Sequence, residues 1–137
     1  MQQDRRHYSE IKLSPSREEY LKAIYKLSKR TGLVRSIDIA VYLEVSKPSV
    51  HNAVTALQEE GLVIKPLGGV ICLTEEGRKR GENITAKFQF LRHFLNSCCN
   101  VSEPTASADA CKMEHIISDE SIFALKKYLD LEHIDDL

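Results

Sequence analysis

The sequence lacks the features that mark membrane, secreted and disulfide-stabilised proteins. No apolar run approaches the roughly 18–20 residues of a membrane span, and residues 1–12 are polar and charged where a secretory leader has an apolar core. The cysteines, Cys72, Cys98, Cys99 and Cys111, show no CxxC spacing and are too few for a disulfide scaffold. We therefore expect a cytoplasmic globular protein with reduced thiols.

Motifs of the common enzyme classes are also missing. The sequence contains no Gly-rich phosphate loop, no HExxH pattern and no nucleophile motif, and the acidic surroundings of Cys111 disfavour a reactive thiolate. We expect a protein that is not an enzyme. An enzyme that uses Cys98 or Cys111 as a nucleophile with a nearby histidine is the alternative.

Charge is distributed unevenly along the chain although the net charge is only −1. Residues 1–92 hold 16 Lys and Arg against 11 Asp and Glu, a balance of +5, whereas residues 93–137 hold 3 against 9, a balance of −6. This division suits a polyanion-facing N-terminal part and a C-terminal part that binds cations or self-associates. Ordinary scatter of surface charge is the other explanation.

The first sixty residues carry signals for three helices. Their expected N-terminal residues share a hydroxyl that can cap the first turn: Ser16, Ser36 and Ser46. Glu19 completes a capping box with the first of these, and the third helix carries Pro48 in its first turn and ends before Gly61. A three-residue turn separates the second and third helices, as in a helix-turn-helix.

A hairpin is expected next. Residues 62–65 and 70–73 are short β-branched runs on either side of the Pro-Leu-Gly-Gly turn at 66–69. Thr74 then has the position of an N-cap for a long helix to about Ser97. The hairpin is the candidate wing.

Two further helices are predicted near residues 105–117 and 119–130, the second capped by Ser118. The fold class is therefore mostly α with a small β-hairpin wing. We expect a winged helix-turn-helix DNA-binding domain over residues 1–75 and a helical metal-binding and dimerisation domain over residues 76–137.

In this architecture the third helix enters the major groove. Because Val50 and Val54 must face inward, the remaining side chains of its first half, with Lys65 of the wing, are the candidate DNA contacts. They are Ser46, Lys47, Pro48, Ser49, His51, Asn52, Thr55 and Lys65. Asn52 suits an adenine edge, Pro48 a thymine methyl, and Lys47 a phosphate. A solvated face in a protein–protein module is the alternative.

Further basic side chains are candidates for flanking phosphates. These are Arg5, Arg6, Lys12, Arg17 and residues 78–80. Each of them taken singly is equally well explained as an ordinary surface charge.

Three motifs carry a family resemblance: Pro-Ser-x-Glu-Glu-Tyr-Leu-x-x-Ile-Tyr at 15–25, Asp-Ile-Ala-x-x-Leu-x-Val-Ser-x-Pro-Ser-Val at 38–50, and Leu-Thr-Glu-Glu-Gly at 73–77. With Cys-x-x-Glu-His at 111–115, the chain resembles the diphtheria toxin repressor and manganese transport regulator family, in its short form without a barrel-like third domain. The resemblance implies a homodimer that binds palindromic operator DNA when a divalent ion is bound.

Cys111, Glu114 and His115 would place a thiolate, a carboxylate and an imidazole on one helical face, although separate structural roles explain them equally well. The resemblance implies that Glu19 completes the site, in competition with its capping role. A thiolate among harder ligands leans toward Fe(II), with Mn(II) the other candidate and Zn(II) or Co(II) able to bind in vitro.

The chain also departs from the family pattern. Phe88 stands where the family supplies a histidine, Arg92 where a carboxylate follows, and Lys22 at a first-helix carboxylate position. None of these side chains is a metal ligand, so at most one ion is expected. His93, Cys98 and Cys99, farther along the same helix, are the alternative ligands, and packing in the core or on the surface is the other explanation for them. The second hypothesis is a winged-helix regulator of the same descent that has lost metal control.

Overall fold

A computed structural model describes residues 15–66 and 68–135. The chain forms two compact units, the first ending at Thr85 and the second beginning at Ala86. The predicted division after residue 75 stays a prediction. None of the helices within the described ranges is long and apolar enough to cross a membrane.

The first unit opens with three helices, α1 (Pro15–Thr31), α2 (Ser36–Leu43) and α3 (Lys47–Glu59). Two predicted caps are wrong. Ser16 lies inside the first turn of α1, so it cannot be the N-cap, and α2 begins at Ser36 with Arg35 as its N-cap. The Arg35 amide donates to Asp38 Oδ2 at 2.9 Å, so an acidic residue inside the first turn replaces the expected serine cap.

The turn between α2 and α3 is tight because Glu44 takes a left-handed conformation, with φ 56°. The amide of Val45 then donates to the carbonyl of Ala40 at 3.0 Å. This connection fixes the direction in which α3 leaves α2.

The sheet has three strands rather than the two of the predicted hairpin. β2 (Val63–Ile64) and β3 (Val70–Leu73) form the expected antiparallel pair, and β1 (Val34–Arg35) pairs with the other edge of β3, in the order β1-β3-β2. A two-residue strand is too short to produce an alternating pattern, so β1 had no sequence signal.

The core of the first unit lies between the three helices and the sheet. Its centre is made by Leu21 and Ile24 of α1, Val50 and Leu57 of α3, and Ile71 of β3, all at most 1% exposed. Burial of the predicted inward face of α3 directs its opposite face to solvent. In α2, Ile39 is fully buried in this core, whereas the apolar Ile37 is 49% exposed.

The long helix α4 (Glu75–His93) starts in the first unit and continues into the second. Its predicted cap is confirmed, because Thr74 Oγ1 accepts a hydrogen bond from the Gly77 amide at 3.0 Å. A π-helical segment (Phe94–Cys98) continues it to the predicted end.

The second unit also contains α5 (Glu103–Met113) and α6 (Asp119–Asp135). Leu91, Ala110 and Ile122 form its buried centre, with Phe88 packed against them. α5 begins two residues earlier than predicted because Pro104 is tolerated in a first turn, and it ends four residues earlier, at Met113. The cap of α6 is confirmed, since the Ser121 amide donates to Ser118 Oγ at 3.1 Å.

Candidate DNA-reading helix and metal centre

Helix α3 presents a polar face beside a fully buried one. Val50 and Val54 are 0% exposed, while the candidate contacts of the first two turns are exposed, and Thr55 further along is half-buried. The exposed set is Ser46, Lys47, Pro48, Ser49, His51 and Asn52. The structure therefore places most of the predicted contact residues on the exposed face of α3, and their contact with DNA stays a prediction.

The N-terminus of this helix is built by its serines. Ser46 Oγ accepts a hydrogen bond from the Ser49 amide at 3.3 Å, and the two hydroxyls lie 2.8 Å apart. Pro48 occupies the first turn, where no intrahelical amide bond is lost. The first turn of α3 also has no acidic residue, which leaves its positive dipole end open to a phosphate.

The wing is anchored by Arg35, which no sequence pattern indicated. Arg35 Nη1 donates to the carbonyl of Gly68 at 2.7 Å, which joins the N-cap of α2 to the turn between β2 and β3. Lys65, on the same wing, is exposed. Because 33 positions separate Arg35 from Gly68, no local pattern could have indicated the contact.

The predicted phosphate contacts have different surroundings. Arg17 and Lys79 are exposed, whereas Arg78 forms ion pairs with Glu75 at 2.8 Å and Glu82 at 2.9 Å. These partners compete with a phosphate for the Arg78 guanidinium. Arg5, Arg6 and Lys12 lie outside the described residues.

In the second unit, Cys111, Glu114 and His115 come together at the end of α5. One ligand atom from each lies within 4.8 Å of the other two. The helix ends at Met113, so Glu114 and His115 belong to the following turn and not to a helical face as expected. The Glu114 amide still donates to the Ala110 carbonyl at 3.0 Å, and this bond preserves the helical spacing of the side chains.

Two of these side chains have little contact with solvent, and Cys111 is half-buried. The side chain of Glu114 is fully buried and that of His115 is 6% exposed, with Nε2 of the histidine 3.3 Å from Oε1 of the glutamate. With metal–ligand bonds of roughly 2.0–2.3 Å, donors around a tetrahedral ion lie about 3.3–3.8 Å apart, so a donor pair at the 4.8 Å limit would close by about 1–1.5 Å on binding. The donor chemistry and spacing fit a divalent transition ion.

The other residues considered for the site have structural surroundings. Glu19 is half-buried on α1 in the first unit. Phe88 packs in the core of the second unit, and Arg92 lies over its ring at 5.9 Å while its Nη1 contacts Glu103 Oε1 at 3.2 Å. His93, Cys98 and Cys99 are exposed.

A winged helix-turn-helix with an open polar recognition face, joined to a helical unit that gathers thiolate, carboxylate and imidazole, defines a class of protein. That class is the metal-dependent DNA-binding transcriptional regulators. Comparison with known proteins then identifies the family.

Residues 12–69 match the family description "Iron dependent repressor, N-terminal DNA binding domain". Residues 74–134 match "Iron dependent repressor, metal binding and dimerisation domain". These matches cover most of the chain. The protein belongs to the iron dependent repressor family, which consists of transcriptional regulators.

Individual relatives agree with this assignment. An HTH-type transcriptional regulator of Methanocaldococcus jannaschii is 33% identical over 120 residues, which cover 86% of this chain and 95% of that protein. The regulator MntR of Geobacillus kaustophilus is 36% identical over 106 residues, or 77% and 74% of the two chains. The structure of the manganese regulator SloR matches with a TM-score of 0.75 and 31% identity over 86% of this chain. The matched part is 55% of SloR, so this chain corresponds to about half of that protein.

Proposed function

We propose that this protein is a cytoplasmic repressor that binds palindromic operator DNA as a homodimer when each protomer holds one Fe(II) or Mn(II) ion, and so controls genes of metal-ion homeostasis. The observation that carries the proposal is the gathering of Cys111, Glu114 and His115 within 4.8 Å in the unit that matches the metal binding and dimerisation domain.

The proposed ligands are Glu19, Cys111, Glu114 and His115. The bound ion would supply a positive charge that ties a carboxylate of α1 to ligands from the second unit, which couples ion binding to the placement of the DNA-binding unit. Burial of the Glu114 side chain keeps water from competing for the carboxylate oxygens. The thiolate of Cys111 favours Fe(II), and the similarity to SloR, a manganese regulator, supports Mn(II) as the alternative.

Metal titration tests the ligand set. We expect one Fe(II) or Mn(II) ion per protomer by calorimetry under reducing conditions, and a loss of binding in Cys111→Ala and His115→Ala. Cys98→Ala removes an exposed thiol elsewhere in the same unit and is the matched control. Unchanged binding in both ligand variants would end the proposed site.

A stoichiometry of one is proposed because the positions where the family supplies further ligands hold Lys22, Phe88 and Arg92, none of which is a metal ligand. The guanidinium of Arg92 is held between the Phe88 ring and Glu103, and Lys22 is a buried cation on α1. Neither of these cations can ligate a second divalent ion. Two ions per protomer would contradict this part of the proposal.

DNA recognition is proposed for the exposed face of α3 and for Lys65. Asn52 is the candidate for an adenine edge, and loss of such a bidentate contact costs about 1–3 kcal/mol of discrimination. On a duplex selected by the protein from a random pool, Asn52→Ala should bind more weakly and less selectively. Gln58→Ala, an exposed amide farther along the same helix, is the control. A flat dependence of affinity on salt would contradict phosphate contact altogether.

Loss of metal control is the competing proposal. Lys22, Phe88 and Arg92 motivate it, because each stands where the family supplies a ligand. Operator binding measured with and without a chelator separates the two, since chelator-insensitive binding favours a constitutive regulator.

Dimerisation is proposed through the second unit. Among the apolar residues of the second unit, Leu91 is fully buried, whereas Ile116 and Phe123 are 80% and 70% exposed. Exposed side chains of this size are typical of an interface between copies. Ile116→Asp with Phe123→Asp should shift the protein to a monomer in sedimentation.

A further inference from the structure

Lys87 is a largely buried lysine of the second unit, on the part of α4 that follows Ala86. Its side chain is 13% exposed. The ammonium Nζ donates to the carbonyl oxygen of Ile117 at 3.0 Å and lies 2.8 Å from Oδ1 of Asp119. Burying a lysine in this way is unfavourable unless its charge is paired and its hydrogen bonds are made.

Both contacts fall at the far end of the segment that carries two of the proposed metal ligands. Residues 114–118, called here the ligand turn, connect α5 to α6 and begin with Glu114 and His115. Ile117 is next to last in the turn, and Asp119 is the first residue of α6. Lys87 therefore holds the turn at its exit.

The entry of the ligand turn is held by backbone bonds. The amides of Ile116 and Ile117 both donate to the carbonyl of Met113, at 3.1 and 2.9 Å. Both backbone groups of Ile117 are thus fixed: its amide donates to the Met113 carbonyl, and its carbonyl accepts from the Lys87 ammonium. The ligands lie between these two attachments.

The contacts of Lys87 are also strong, because its ammonium group is an ionised hydrogen-bond donor. Hydrogen bonds from an ionised donor are roughly twice as strong as neutral ones, and the low exposure of Lys87 reduces their screening by water. Asp119 is 73% exposed, but it lies in the first turn of α6, where a negative charge is favoured.

We propose that Lys87 is a positioning residue for the metal centre: by fixing the Ile117 carbonyl and Asp119, it holds Glu114 and His115 in the arrangement that receives the ion. This inference rests on the metal site proposed above. Residues that orient metal ligands without touching the ion typically change affinity by about 10–100-fold when removed.

The test uses the full chain and Co(II) as the probe. Affinity comes from competition titration, the Cys111 thiolate–Co(II) bond from its charge-transfer absorption, and coordination geometry from the d–d bands. The variants are Lys87→Met, Lys87→Arg and Asp119→Asn. Lys127→Met removes an exposed lysine of the same unit and controls for the lost charge.

We expect Lys87→Met to bind Co(II) at least about 10-fold more weakly than wild type, with altered d–d bands. Lys87→Arg retains a cationic donor and should restore most of the affinity and the wild-type spectrum. Asp119→Asn keeps the bond to the Ile117 carbonyl and should lose less, and Lys127→Met should match wild type. A residue that only stabilised the fold would lower the melting temperature of the apoprotein without changing the spectrum of the bound ion.

The outcomes separate the two proposals. If wild type binds Co(II) with a thiolate band and Lys87→Met binds it equally well with the same spectrum, the role of Lys87 is overturned while the metal site stands. If wild type binds no Co(II), the metal site fails and this inference fails with it. Should Lys87→Met not fold, Asp119→Asn decides, and wild-type affinity and spectrum in that variant would count against the proposal.

Discussion

Gly77 in the first turn of α4 is the position where one added methyl group should do most damage. It is buried, and a Cβ built on it would lie 1.9 Å from the carbonyl oxygen of Leu62. The same oxygen accepts a hydrogen bond from the Thr74 amide at 3.0 Å, so it is held in place between β2 and α4. Gly77→Ala therefore pushes against backbone and not against a movable side chain.

The size of the effect follows from opposing contributions. Restoring a 3.0 Å separation requires a shift of 3.0 − 1.9 = 1.1 Å at the base of the wing. Overpacking of this kind costs about 1–3 kcal/mol, and weakening the Thr74–Leu62 bond costs about 0.5–1.5 kcal/mol. Alanine returns about 0.5–1 kcal/mol relative to glycine inside a helix. The net expectation is a loss of roughly 0.5–4 kcal/mol in the free energy of unfolding.

Urea denaturation followed by far-UV circular dichroism measures this loss. Lys79→Ala, an exposed change two positions along the same helix, should stay within about 0.5 kcal/mol of wild type. A Gly77→Ala variant as stable as wild type, or more stable as helix propensity alone would require, would refute the close approach of α4 to Leu62.

Other predictions concern single contacts. Ser46→Ala removes the cap of α3 and should lower the free energy of unfolding by about 1 kcal/mol, as measured in urea; no loss would contradict the capping bond. Arg35→Met frees the Gly68 carbonyl and should weaken DNA binding with little change in stability, whereas Arg35→Lys should retain part of the affinity. The Arg78 guanidinium lowers the pKa of the Glu75 carboxyl below its ordinary value. The Glu75–Arg78 pair contributes stability at pH values above the ordinary pKa of a glutamate, and this contribution is lost as the pH falls through the lowered pKa of Glu75. The melting temperature of Glu75→Gln should therefore lie slightly below that of wild type at pH 7, and the two should coincide in strong acid.

Much of the fold could be predicted because its signals are local. Ser46, Thr74 and Ser118 each cap a helix from a position within three residues of the amide they accept. The buried face of α3 follows from a helical period that brings Val50 and Val54 together whatever packs on them. Local signals did not locate every helix start. Ser16 is of a residue type that caps helices, yet it lies inside α1 and not ahead of it.

The candidate metal site also has one part that the sequence predicts and another that only the structure explains. The short spacing of Cys111, Glu114 and His115 let the sequence group these residues, because one turn of backbone keeps them close whether or not the helix continues. The roles of Phe88 and Arg92 became clear only from the packing of the second unit, where one fills the core and the other pairs with Glu103.

The sequence by itself therefore determined the order of the helices, the caps of α3, α4 and α6, the exposed polar face of α3 and the grouping of Cys111, Glu114 and His115, since each depends on residues a few positions apart. Only the tertiary structure decided that β1 joins the wing, that Arg35 reaches Gly68, and that Lys87 fixes the ligand turn. These contacts join residues 30 or more positions apart along the chain, and they form only after burial of the core has closed the intervening loops.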